Sequence, residues 1–326
     1  MKRRQYGVGV IGLFLLALPM GPAAHAQAST YPAKPVTIIS DAAPGSSPDF
    51  AARLIGGGLG KLWGPQVIVV NRPGANGSIA AHAASDVVPD GYTLFMASLS
   101  TFVALPTVAP NLPLKLPRDF LPIGFTALQP MFVAVSPTLG ITTLPQLIAR
   151  AKKEPGKISI AVSGVGRLTH LTGELLKEKA GINLLSVPYT TGEAIAIGDV
   201  ASGRVSMIIE GYSGIIGAVQ AGKVKLIAVA SPERLAEFPD LPTVAETIPG
   251  FSAAGWFALL APKGTPAPII SKASADLAKV MNDPDIKKRL AATGSYARAM
   301  TPEQTLAFVN EQQKTWEPVV KKVSAK

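Results

Sequence analysis

The chain is 326 residues long, 48% of them hydrophobic, with a formal net charge of +10 and no cysteine. That composition excludes disulfides, thiolate metal sites and cysteine nucleophiles. It also argues against a nucleic-acid partner, because the basic residues (Lys34, Arg53, Lys61, Arg72, Arg118) are scattered and form no stripe with aromatics.

In chain order, an export signal comes first. Lys2, Arg3 and Arg4 open the chain, residues 7–20 are apolar and uncharged, and Ala24-His25-Ala26 is a small-x-small cleavage site. This order marks a secretory signal peptide over residues 1–26 and a periplasmic destination. The apolar stretch falls short of the roughly 20 residues that span a bilayer, which favours a cleaved signal over a retained anchor. Arg3-Arg4 leaves a twin-arginine route open beside the general one. Cleavage removes three positive charges and leaves about +7, a field that steers anionic ligands. Roughly 300 residues remain, enough for two domains and a core that needs no disulfide.

The mature chain alternates β-branched runs with helical stretches, which predicts parallel α/β architecture. Strands are expected at 36–39, 67–70 and 92–97, with helices at 49–62 and 78–87 between them. Residues 105–122 are rich in Pro and Leu and read as an irregular excursion. A long crossing strand at 123–135 and a helix at 143–153, capped by Thr142, follow. Strands at 158–162, 184–188, 205–209 and 224–230 form a second set, with helices at 169–180 and 193–201. A strand at 254–261 returns to the first set. From Pro268 onward three amphipathic helical segments are expected, the last starting at Pro302 with Thr301 as its cap. The pattern divides the chain into a discontinuous first lobe, 27–128 and 250–326, and an inserted second lobe, 129–249. Two crossing segments suit a hinge over a cleft.

Four strand-to-helix turns carry small polar residues. In Asp41-Ala-Ala-Pro-Gly-Ser-Ser-Pro-Asp49, Pro44 and Gly45 stop the strand, Ser46 or Ser47 can cap the helix, and Asp49 suits its first turn. Such an end reads either as an anion site built from backbone N–H groups or as an ordinary well-capped turn. Ser163-Gly164-Val165-Gly166-Arg167-Leu168-Thr169-His170 follows a strand and opens a helix, and lacks the third glycine of a dinucleotide fingerprint. Ser98 and Thr101 follow the strand at 92–97. Thr191 and Gly192 precede the helix at 193–201, and Glu210 comes just after the strand at 205–209. In open α/β sheets ligands bind at the carboxyl ends of strands, so these turns converge on one cleft lined by opposed helix N-termini. That geometry favours a negative group between them.

The residues that carry a family resemblance run through nearly the whole mature chain. They include Tyr31-Pro-x-Lys-Pro-Val36, Ala43-Pro-Gly45, Asn71-Arg-Pro-Gly-Ala75 and Pro89-Asp-Gly-Tyr-Thr-Leu94. Ser163-Gly-x-Gly166 with His170-Leu171, Val187-Pro-Tyr189, Ala221-Gly-Lys223, Pro242-Thr243 with Glu246, and Gly264-Thr-Pro266 continue the series. In this order the chain resembles the Bug-type receptors, periplasmic solute-binding proteins of tripartite tricarboxylate transporters. The resemblance implies a two-lobed α/β fold of the type II periplasmic binding protein kind, which binds a carboxylate and hands it to membrane permease subunits. It implies no catalysis, no cofactor and no metal, and a monomer. Carried over by position, the ligand residues are Pro44, Gly45, Ser46, Asp49, Ser98 and Thr101 from the first lobe. From the second lobe they are Ser163, Gly164, Gly166, Thr169, His170, Thr191 and Gly192, to which the residue reading adds Glu210.

This sequence departs from the family pattern at two places in the first turn. Ser46 replaces the second glycine and Ala42 the aromatic, so the particular acid is not inherited from relatives. The stretch Glu210-Gly211-Tyr212 also differs from the usual aspartate-containing loop. Two other functions fit the same residues: a ligand-sensing partner of a membrane sensor, and a periplasmic hydrolase using Ser163 and His170. The hydrolase lacks both an orienting carboxylate and a G-x-S-x-G elbow.

Overall fold

One long strand is shared by two sheets. The structure, a computed structural model, describes residues 31–104, 115–189 and 193–324. In the first sheet, β1 (Val36–Ser40) lies between parallel neighbours β2 (Val67–Asn71) and β3 (Thr93–Ser98). β9 (Ala254–Pro262) runs antiparallel to β3, and β4 (Phe120–Val135) antiparallel to β9, with β10 (Tyr296–Met300) against β4. The second half of β4 pairs with β7 (Met207–Gly211) and β8 (Lys225–Val229). β5 (Ser159–Val162) then joins β7 to β6 (Leu185–Pro188) in parallel. The expectation of a parallel sheet is therefore corrected. The βαβ units are parallel, but β4 and β9 are antiparallel neighbours in the first sheet, and β4 continues into the second.

Period-two alternation separates the two faces of the first sheet. Leu94 and Met96 of β3, with Phe257 and Leu259 of β9, pack under α1 (Ser47–Trp63) and α7 (Ala267–Asn282). Phe95, Ala97, Trp256 and Ala258 point the other way. They meet α2 (Ser78–Ser85) and the C-terminal helix α9 (Pro302–Ser324), whose Trp316 and Val320 are buried. On α1 the residues Ala51, Ile55 and Leu59 form one buried stripe at helical spacing, each large apolar side chain contributing about 1.5–3 kcal/mol by burial. The second lobe is built likewise. Met131, Val133 and Val135 face α3 (Leu144–Lys153) and α4 (Leu168–Ala180), while Phe132 and Ala134 face α5 (Glu193–Ala201) and α6 (Tyr212–Gln220). A short helix α8 (Pro284–Ala291) follows α7.

The lobes join where β4 changes partners, between Pro130 and Met131. There Met131 N–H donates to Ala253, Ala253 N–H to Ala230 and Ala230 N–H to Met131, closing a ring of backbone hydrogen bonds at 2.7–3.1 Å.

Some elements differ from expectation. The cap of α3 is Thr143, whose hydroxyl accepts from Gln146 N–H, while Thr142 N–H binds the Gln146 side chain. β4 begins at Phe120, inside the stretch read as irregular, because the end of β9 pairs with it despite Pro122. Glu210 sits within β7 opposite Phe132, not beyond the strand. α6 and β10 were not expected: a helix rich in glycine and isoleucine and a strand with a charged arginine both lack a clean period. Thr301 caps α9 as expected, its hydroxyl accepting from Gln304 N–H, and the Gln304 side chain accepts in return from Thr301 N–H. Among the described residues no helix is long and apolar enough to cross a membrane.

Candidate functional site

The first-lobe wall grows from the ends of β1 and β3. After Ser40 the chain turns at Asp41 and reaches α1 through Gly45, whose φ of +77° suits glycine. Asp49 in the first turn of α1 folds this loop onto itself. Its carboxylate accepts from Gly45 N–H (2.9 Å), Asn71 Nδ2 (2.8 Å) and Arg53 Nε (3.1 Å). Burial pushes the Asp49 pKa up, but hydrogen bonds from Arg53, Gly45 and Asn71 outweigh it and hold the group below the usual carboxylate range. Ser46, the N-cap, turns its hydroxyl back to the Ala43 carbonyl (2.7 Å), so no side chain caps α1. Behind this wall Asp41 is fully buried and its Oδ2 accepts from Ser98 Oγ (2.6 Å) and Thr101 Oγ1 (2.7 Å). A Cβ on Gly77 would meet Thr101 Oγ1 at 2.3 Å, so glycine lets this cluster close.

The second-lobe wall grows from β5. Ser163 N–H donates to Thr169 Oγ1 (2.9 Å), and the two hydroxyls lie 2.8 Å apart. Gly166 N–H donates to His170 Nδ1 (3.2 Å), which leaves the proton of a neutral ring on Nε2, facing Glu174 (3.6 Å). Glu174 also pairs with Lys177. Arg167 is the N-cap of α4 and makes no side-chain cap bond. Glu210 Oε1 accepts from Gly211 N–H (2.8 Å). Across the cleft, Ser47 Oγ of α1 accepts from Gly214 N–H in the first turn of α6 (2.9 Å), so a first-lobe hydroxyl caps a second-lobe helix. Gly211 permits this approach, since a Cβ there would stand 2.7 Å from Ser47 Oγ.

These walls enclose a cavity of about 50 Å³ lined from both lobes. It is small against the roughly 300–1,000 Å³ of typical ligand pockets, because the lobes meet across it. Of the residues expected from sequence, Ser46, Ser98, Ser163, Thr169 and Glu210 line it. Pro44 and Gly45 are exposed at the loop tip, and Asp49, Thr101, Gly164, Gly166 and His170 stand behind the lining. Thr191 and Gly192 lie outside the described residues. The cavity adds residues that sequence reasoning missed, Arg167, Gln129 and the β9 stretch Gly255–Phe257, and also Ser100, a hydroxyl of the polar turn after β3. Arg167 was legible, being a cation inside a singled-out turn. Gln129 and the β9 residues were not, since only the crossing strands bring them there. Larger grooves, of about 780, 870 and 450 Å³, lie elsewhere. The cleft is the better candidate because the carboxyl ends of β1, β3 and β5 converge on it. Among the described residues no group of acids and histidines could hold a metal ion.

Two α/β lobes joined by crossing strands, with uncapped helix N-termini from each on one polar cleft, define a solute-binding receptor of the periplasmic binding protein fold. The model of the tripartite tricarboxylate transporter family receptor matches residues 51–325, and the chain belongs to that family. Protein BugT of Bordetella pertussis is 33% identical over 321 residues, covering 98% of each chain. Among solved structures, Rhodopseudomonas palustris Rpa4515 with adipate is 29% identical with a TM-score of 0.86, covering 90% of this chain and 98% of that one. MatC from the same organism, with bound malate, is 28% identical with a TM-score of 0.80, covering 89% and 100%.

Proposed function

We propose that the protein captures a small carboxylate in the periplasm, closes its lobes over it, and delivers it to the membrane permease subunits of a tripartite tricarboxylate-type transporter. The observation that carries this is the uncapped N-terminus of α4 on a cavity that Arg167 also lines, opposite the polar wall of the first lobe. Helix N-termini favour anions, and an arginine adds a charge-assisted, planar partner for a carboxylate. Adipate and malate in related receptors support the ligand class. In this reading residues 1–26 direct export, and 129–249 move as one body against 27–128 and 250–326 about the backbone ring at Met131, Ala230 and Ala253. The receptor works as a monomer and turns nothing over. The Ser163 hydroxyl pairs with Thr169, and His170 spends Nδ1 on a backbone amide, an arrangement for holding a loop and not for activating a nucleophile.

The test is calorimetry and thermal shift on the mature protein against a carboxylate library. Binding raises the melting temperature, because a ligand that prefers the folded state stabilises it. Arg167→Gln is expected to weaken the best acid about tenfold or more, the order of a lost charge-assisted hydrogen bond. If no acid binds, or if Arg167→Gln leaves affinity unchanged, the reading fails.

A further inference from the structure

We infer that the ligand is asymmetric: its carboxylate faces α4 and Arg167, and its other end carries a hydrogen-bond donor that is not an anion, selected by Asp41. This rests on the carboxylate reading above and sharpens it.

The two walls differ in what they can offer. A serine hydroxyl has one proton and two lone pairs. Ser98 gives its proton to the buried Asp41 carboxylate, and Thr101 gives its own to the same oxygen. Ser46 gives its proton to the Ala43 carbonyl. Ser46 and Ser98 therefore line the cavity with lone pairs, not with protons. Around Ser46 the backbone is also depleted of donors. Pro48 has no N–H, Gly45 N–H is spent on Asp49, and Ser46 N–H on Ala43. The amides of Ser47 and Asp49 remain, at a helix end whose first turn already holds the Asp49 carboxylate. The opposite wall has the α4 N-terminus and Arg167.

An anion brought against Ser46 and Ser98 meets acceptor atoms backed by the buried Asp41 carboxylate, whereas the Ser100 hydroxyl, also on this wall, has no such commitment. Like charges in a site of low dielectric repel strongly, and a buried charge without a partner is costly. A hydroxyl or an ammonium in the same place donates to Ser98, and the hydrogen bond continues through Ser98 to Asp41. Asp41 does not line the cavity, so it is a positioning residue: it acts by fixing where the Ser98 proton points.

The experiment is titration calorimetry on the mature protein with length-matched sets. One set is adipate, its ω-hydroxy and ω-amino monoacid counterparts, hexanoate and hexanediol. The second is succinate with the corresponding four-carbon series. Within a set, the ω-hydroxy or ω-amino acid is expected to bind at least about tenfold tighter than the diacid, since a site with a fixed hydrogen-bond partner discriminates by such factors or more. The better of these two says whether the donor is neutral or cationic. Asp41→Asn and Ser98→Ala are each expected to narrow the gap between monoacid and diacid, which a merely structural role would not do. A diacid that binds native protein as tightly as its hydroxy or amino counterpart overturns this inference and leaves the carboxylate reading standing, whether or not the variants fold. Binding of hexanediol with no acid bound, or no binding by any member of either set, overturns both.

Discussion

Asp49 shows how one side chain can shape a binding loop without touching its cavity. Its two oxygens gather a backbone amide, an asparagine and an arginine, and each bond holds a different segment: the loop tip at Gly45, the end of β2 at Asn71, and α1 itself at Arg53. Replacing it with alanine strands these donors. Asp49→Ala is expected to cost on the order of 1–3 kcal/mol, and to raise the dissociation constant because Ser46 loses its support. Thermal denaturation and calorimetry on the same preparation check both parts. Asp49 was chosen from sequence for its position in a first turn, and that position is what lets it reach back to Gly45. That it faces Asn71 and not the cavity needed the β2 end to be in place.

At the scale of elements, the contact between α1 and α7 depends on a buried polar bond as well as on apolar stripes. Trp63 Nε1 donates to Asp276 Oδ2 (2.9 Å), and Lys272 and Lys279 reach the same carboxylate. Trp63→Phe keeps most of the packing and loses the donor, so we expect about 0.5–1.5 kcal/mol of destabilisation, readable as a lower denaturant midpoint. Burial raises the Asp276 pKa, but the hydrogen bonds from Lys272, Lys279 and Trp63 together bring it below its ordinary value. At the start of the short turn Val244–Glu246, the hydrogen bond from Arg234, followed by that from Thr243 N–H, lowers Glu246 from 4.5 to about 2. A carboxylate with a depressed folded-state pKa stabilises the fold above its unfolded pKa and loses that contribution as pH falls through the folded one. Stability should therefore hold at neutral pH and decline as pH drops from about 4.5 towards 2. A flat melting temperature across that range would contradict the assignment of these ion pairs.

At the scale of the whole molecule, closure brings groups far apart in the chain into contact. The Ser47 hydroxyl caps α6 from the opposite lobe, 167 residues away. This bond exists only when the lobes meet, so it weights the closed state. Ser47→Ala is expected to shift the balance towards the open form by about 0.5–1.5 kcal/mol, a two- to twelvefold loss of affinity. Small-angle scattering should show a larger radius for the variant at subsaturating ligand, and the same compact radius at saturation. If the radius and affinity match those of the native protein, Ser47 is not a latch. A second tie between lobes, Lys322 to Glu178 at 2.8 Å, is exposed and contributes little.

The sequence alone determined what depends on neighbours in the chain. Period-two runs marked most strands, Thr301 and Gln304 marked the start of α9, and Pro and Gly marked the turns at 44–49 and 163–170, which do meet at one cavity. These signals are local: a cap or a turn residue works within a few positions. Tertiary structure decided the rest. It set β4 and β9 antiparallel and ran β4 on into the second sheet, placed Gln129 and Trp256 at the cleft, and turned the protons of Ser46 and Ser98 away from it. The side on which a hydroxyl spends its one proton depends on which acceptor is near in space. Asp41, 57 residues from Ser98 along the chain, becomes that acceptor only once β1 and β3 lie side by side.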